Sequence, residues 1–158
     1  MTFSQQTAAV FTPDYSSLET ALARVTHLGV GAHQDDLEFM AFHGIVQCFH
    51  GDGKHFGGVT CTNGSGSART GPYQEFTDAG MMAVRREEQR QAAIVGRYAA
   101  MIQLDHPSSV VKSPTDSRLR DDLGLILTNS RPSVVYTHNP ADKHDTHLAV
   151  LAHSLAAL

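Results

Sequence analysis

Two stretches decide the reading of this chain: Ala32-His33-Gln34-Asp35-Asp36-Leu37-Glu38 and His138-Asn139-Pro140-Ala141-Asp142-Lys143-His144-Asp145-Thr146-His147. Each concentrates imidazoles and carboxylates within a few residues. Each directly follows an apolar, β-branched run that reads as a strand, Val25 to Gly31 in one case and Val134 to Thr137 in the other. Ligands in open parallel sheets sit beyond the carboxyl ends of strands. Both stretches occupy that place.

Working outward, the elements between them alternate. A helix with apolar residues at Leu37, Met40, Ala41, Ile45 and Cys48 is expected over Asp36 to Phe49, and Gly51-Asp52-Gly53 ends it. Phe56 to Thr62 reads as a strand, and Asn63 to Gly71 as a Gly/Ser-rich loop closed by Pro72. A long helix is expected from Ala79 to Tyr98, then a strand from Ala99 to Leu104 ending at Asp105-His106-Pro107. Thr115 to Asn129 reads as a helix capped by Thr115 or Asp116, and a last helix starts near Asp145. Strand and helix alternate four times, which predicts an α/β fold: a Rossmann-like, mostly parallel sheet flanked by helices, with the active site at the carboxyl ends of the strands. Residues 1–24 read as an N-terminal arm with a short helical piece from Ser16 to Arg24; residues 25–158 read as one domain.

Composition narrows the function. The 158 residues are 41% hydrophobic, enough for a packed core, and the formal net charge of -4 argues against nucleic acid as a partner. No basic start leads into an apolar core, and no apolar run approaches the ~20 residues of a membrane span, so a cytoplasmic protein is the expectation. Cys48 and Cys61 have no close cysteine neighbour, which excludes a zinc ribbon and predicts buried, reduced thiols. Asn63-Gly64-Ser65-Gly66-Ser67 lacks the Gly-Lys-Ser/Thr ending of a phosphate loop; it reads as a loop at the mouth of the site, with Arg69 or Tyr73 reaching substrate.

The chemistry follows from the donor types. Zinc accepts His nitrogen and Asp oxygen, and catalytic sites use three protein ligands and a water. His33 and Asp36 supply two ligands, and His138, His144 or His147 the third. Asp35 is left as a base. His144 and His147 fall on one helical face. His106 follows a strand and is read as a turn residue; His27, His43, His50, His55 and His153 show no partner pattern.

The paired motifs resemble those of the PIG-L/LmbE-like de-N-acetylases, which carry Ala-His-Pro-Asp-Asp near the start and a His-x-x-His segment later. Here they stand as Ala32-His33-Gln34-Asp35-Asp36 and as His138-Asn139-Pro140 followed by His144-Asp145-Thr146-His147. Arg85-Arg86-Glu87-Glu88 with Ala92-Ala93 is similar to the family's Arg/Glu helix. The resemblance implies that His33, Asp36 and His147 bind zinc or ferrous iron, that Asp35 is the general base, that His144 stabilises the oxyanion and that Arg85 contacts substrate. It implies a hydrolase that removes the acetyl group from an N-acetylated sugar or glycoside-like small molecule. A hydrolase of another amide or ester, and a non-catalytic metal-binding domain, are the alternatives.

Two positions depart from the family pattern. Gln34 stands in place of Pro, and Thr146 in place of an Asp before the ligand His, with Asp142 or Asp145 as candidates for that carboxylate's role. Family members usually run well beyond the last motif. The expectation is therefore a fragment, a processed form or a compact variant, with a homo-oligomer or a partner chain supplying the missing C-terminal elements.

Overall fold

A computed structural model describes residues 1–158. Its centre is a five-stranded sheet of β1 (Ala9–Phe11), β2 (His27–Gly31), β3 (Phe56–Thr62), β4 (Ala100–His106) and β5 (Val134–Tyr136), in the order β1-β4-β3-β2-β5. The four strands from β2 to β5 are parallel; β1 joins β4 antiparallel. The α/β fold with a mostly parallel sheet is as expected. Strands β2, β3 and β4 are buried along their whole length, as a sheet covered on both faces requires.

The helices are α1 (Leu18–Arg24), α2 (Asp36–Met40), α3 (Phe42–Phe49), α4 (Asp78–Val95), α5 (Ser108–Val111), α6 (Arg118–Ser130) and α7 (Asp145–Ala157). They form the two outer layers. On one face α1, α5, α6 and α7 cover a cluster that includes Leu22, Leu28, Val30, Ile102, Leu123, Ile126 and Val150. On the other, α2, α3 and α4 cover Leu37, Ile45, Phe56, Ala93, Tyr98 and Met101. Helix α4 contributes Met81, Gln89 and Ala93, spaced by four or eight residues so that they form one stripe.

Four expectations change. The arm supplies a strand: Ala9, Val10 and Phe11 pair with Gln103, Ile102 and Met101. Three residues, none of them fully buried, are too few to produce a sequence period. The single helix over Asp36 to Phe49 breaks at Ala41, a buried residue at φ -107 that ends α2 and starts α3. Helix α4 stops at Val95, since Arg97 takes a left-handed φ of 56 and turns the chain into β4. The N-cap position of α6 is Ser117 rather than Thr115 or Asp116, although Asp116 Oδ1 accepts from the Arg118 N–H at 3.1 Å. Cys48 and Cys61 are buried free thiols, and burial raises the pKa of both.

Chain order places the site. From β2 the chain steps outward to β3 and β4, then returns across β2 to form β5 on its other side. The order reverses between β2 and β5, so the crevice at their carboxyl ends is a topological switch point. The first motif leaves β2 there, and the second leaves β5.

Candidate metal centre

Gly31 ends β2, and a Cβ at that position would meet the Cβ of Asp36 at 3.0 Å. The missing side chain lets the turn fold back tightly, and Asp36 Oδ2 accepts the His33 backbone N–H at 2.6 Å. Asp35, between them in sequence, takes a left-handed φ of 79 as the N-cap of α2. The tight reversal thus resolves how adjacent aspartates diverge: Asp36 turns inward and Asp35 is exposed. Gln34, where the family has Pro, is buried and anchored by its Nε2 to Thr62 O at 3.2 Å, at the end of β3, and to Gln103 Oε1 at 3.4 Å, midway along β4.

From the other side, α7 presents His147. His33 Nδ1 lies 3.2 Å from His147 Nε2 and 3.4 Å from Asp36 Oδ2; His147 Nε2 lies 3.5 Å from Asp36 Oδ1. Donor atoms bonded to one tetrahedral zinc at about 2.0–2.1 Å sit roughly 3.3 Å apart. The two imidazole nitrogens lie at that spacing from each other and each from one oxygen of Asp36, His33 from Oδ2 and His147 from Oδ1, and donors of these types suit a divalent cation. Burial opposes ionisation of Asp36, but hydrogen bonds from His33 prevail and hold its carboxyl below the usual range.

The imidazoles around this group differ in what their nitrogens are free to do. His147 Nδ1 donates to Asp142 Oδ2 at 2.9 Å, which leaves the lone pair on Nε2, the nitrogen facing His33 and Asp36. Asp142, through its bond to His147 and the His144 backbone N–H, has its pKa lowered to about 2. The carboxylate beside His147 is thus Asp142, and the buried Thr146 side chain takes no such part. His138 is also close, 3.4 Å from Asp36 Oδ2, and stacks on His147 with centroids 4.0 Å apart. Its Nε2, however, accepts the backbone N–H of Ala32 at 2.8 Å. An amide has only a proton to give, so that lone pair is already used. Burial lowers the His138 pKa to about 4, which matches a neutral acceptor ring.

His144 caps α7. Its Nδ1 accepts the Thr146 N–H at 3.3 Å, so in the neutral ring the proton sits on Nε2. Burial and the neighbouring His147 and His33 rings lower its pKa. A ring nitrogen of His144 lies within 4.8 Å of those of His33 and His147.

A cleft of 620 Å³ opens above this group, lined by His33, Asp35, Asp36, Arg85, His144 and Thr146 together with the 64–70 loop, Tyr73, Glu88 and Lys112. Arg85 reaches from α4 to Asp35 Oδ2 at 2.7 Å, to Gln34 O at 2.5 Å and to Glu88 Oε2 at 2.5 Å. The expected substrate contact and the expected base are therefore paired with each other. Tyr73 lines the cleft as anticipated; Arg69 is instead tied to Ser65 O, Phe76 O and Asp78. Lys112 and Glu88 were not anticipated in the cleft. Lys112 follows a four-residue helix with no sequence period, and Glu88 reads as one charge in a run of four. His106 is a buried strand residue held by Asp122 at 3.0 Å.

The fold recurs in solved structures. The conserved protein TT1542 of Thermus thermophilus aligns with a TM-score of 0.66 and 23% identity, over 84% of this chain and 55% of its own. The 4-carboxy-2-hydroxymuconate hydratase GalB of Pseudomonas putida KT2440 aligns at 0.68 and 22%, over 84% and 55%. The N,N'-diacetylchitobiose deacetylase of Pyrococcus horikoshii, solved with its inhibitor MPG, aligns at 0.66 and 18%, over 92% and 52%. The chain spans about half the length of each. No curated protein matches it, and none of its helices is long and apolar enough to cross a membrane. Residues 28–158, which include both motifs and the sheet from β2 to β5, match the family model of PIG-L, the GlcNAc-PI de-N-acetylases; the chain belongs to that family.

Proposed function

We propose that this chain is a metal-dependent N-deacetylase acting on an N-acetylated sugar or glycoside-like small molecule. The observation that carries the reading is the convergence of the His33 and His147 nitrogens, 3.2 Å apart, on the Asp36 carboxylate, 3.4 and 3.5 Å away, beneath a polar cleft that also holds Asp35 and His144. His33, Asp36 and His147 would hold the cation, zinc or ferrous iron. A bound cation supplies Lewis acidity, polarising the amide carbonyl and making water acidic enough to ionise near neutral pH.

The chain's own residues do the rest. Asp35 stands in the cleft with one oxygen on Arg85 and the other without a protein partner, ready to take a proton from the attacking water. His144, with its Nδ1 occupied, offers Nε2–H to the oxygen that gains charge as the carbonyl becomes tetrahedral. Asp35 then returns the proton to the departing amine, which leaves as the free amino sugar while acetate is released. Lys112, Tyr73 and Glu88 line the part of the cleft that would receive the rest of the substrate.

The test is acetate release from a panel of N-acetylated sugars by zinc-loaded protein. Asp35→Ala is expected to lower kcat at least ~100-fold with metal binding kept. No acetate from any panel member at one bound metal per chain overturns the reading. Hydrolysis of other amides or esters from the same site would show as turnover elsewhere in a wider panel, and a metal-binding domain without activity as full occupancy and no turnover.

A further inference from the structure

We infer that Gln89 of α4, held by Glu38 and Tyr98, is a positioning residue that locks the backbone of Asp35 in its left-handed turn. The inference rests on the proposed role of Asp35 as base. Left-handed backbone is costly for a residue with a Cβ, so Asp35 needs partners to stay there. It has two, one helical turn apart on the same face of α4. Arg85 takes its carboxylate, and Gln89 Oε1 accepts its backbone N–H at 3.0 Å.

Gln89 is only 1% exposed, an uncommon place for an uncharged polar side chain unless both ends are satisfied. Both are. Its Nε2 donates to Glu38 Oε1 at 3.0 Å, and Tyr98 O–H donates to the same oxygen at 2.6 Å. Glu38 Oε1, which takes the Tyr98 hydroxyl, meets Gln89 as an acceptor. Glu38 therefore fixes which end of the Gln89 amide faces it, and so obliges Oε1 to face Asp35. The relay has a defined polarity, from a tyrosine hydroxyl at the foot of β4 to the base. None of its three members lines the large cleft, so none is placed to touch substrate there. The donors of His33, Asp36 and His147 are outside the relay, which makes metal binding and base positioning separable.

The experiment compares Gln89→Met, which keeps length and burial, with the exchange Glu38→Gln plus Gln89→Glu. The exchange reverses donor and acceptor between the two side chains yet still presents an oxygen to the Asp35 amide. Metal affinity, the hydrogen-exchange rate of the Asp35 amide, and kcat and KM for acetate release are read on each. For Gln89→Met the expected result is unchanged metal affinity, faster exchange of the Asp35 amide, and kcat lower by roughly ten- to a hundredfold with KM little changed. The exchange variant is expected to restore both amide protection and kcat. Unaltered amide exchange in Gln89→Met, or no recovery in a folded exchange variant, overturns the inference. Wild-type protein that releases no acetate defeats the functional reading alone, because amide exchange still tests the positioning.

Discussion

The backbone N–H of Ala32, the first residue beyond β2, donates to Nε2 of His138, 106 residues later in the chain. This bond stitches the two motifs together before any cation is considered. It also separates His138 from the other imidazoles, because the nitrogen that would bind a metal is committed to the main chain. His138→Ala is expected to leave the buried Ala32 N–H unpaired and to lower apo-protein stability by about 1–3 kcal/mol. One metal per chain should still bind, whereas His147→Ala should abolish binding. Thermal unfolding and metal titration of the two variants check this; complete loss of metal in His138→Ala would make that ring a ligand.

Asp142 orients His147 by holding its Nδ1 proton. Asp142→Asn keeps the shape but weakens that acceptor, and a ~10–100-fold loss of metal affinity is expected. Asp145, exposed in the first turn of α7, should give no comparable loss when changed to Asn. Competition with a chromogenic chelator separates the two.

Acid sensitivity should trace to Asp122. Burial raises its pKa, but the hydrogen bonds from His106 and from the Ser4 side chain and N–H outweigh it, and the folded pKa is lowered below the ordinary 3.8. A depressed folded pKa means stability that is present above pH 3.8 and lost as pH falls through the folded value. Asp122→Asn should therefore be less stable than wild type at neutral pH, and the difference should narrow below pH 3.8. Denaturant midpoints measured across that range decide it.

A fourth prediction concerns packing under the second motif. Gly44 of α3 lies so close to Tyr136 of β5 that a Cβ would meet the ring at 2.4 Å. Gly44→Ala should cost about 1–3 kcal/mol by overpacking, in spite of the higher helix propensity of Ala. Combined with Tyr136→Ala the two changes should be markedly non-additive in a double-mutant cycle.

Much of this molecule could be read from its residues because the informative features are local. Apolar runs followed by His and Asp mark β2 and β5, and the helical period marks α4 and α6. His33, Asp36 and the later histidines could be singled out as ligand candidates because they sit in two dense motifs. What escaped was tertiary. Strand β1 exists because β4 offers an open edge, not because Ala9-Val10-Phe11 carries a pattern. Asp35 and Arg85 were each expected in the site, yet their pairing depends on where α4 crosses the end of β2. Gln89 looks like one more polar residue in a charged helix; only its burial reveals it. His138 was one of three interchangeable ligand candidates until a backbone amide claimed its nitrogen.

The return of the chain across β2 has a consequence for how a cation at the proposed site would be acquired. His33 and His147 are 114 residues apart, so a cation shared by them closes a loop that encompasses most of the fold. The two ends of that loop meet only where β5 lies beside β2. Metal uptake should therefore follow folding, and affinity for the cation should be linked thermodynamically to the global unfolding equilibrium. The occupied protein would resist unfolding as a cross-linked chain does, with the ion serving as a removable tether between its first and last parallel strands.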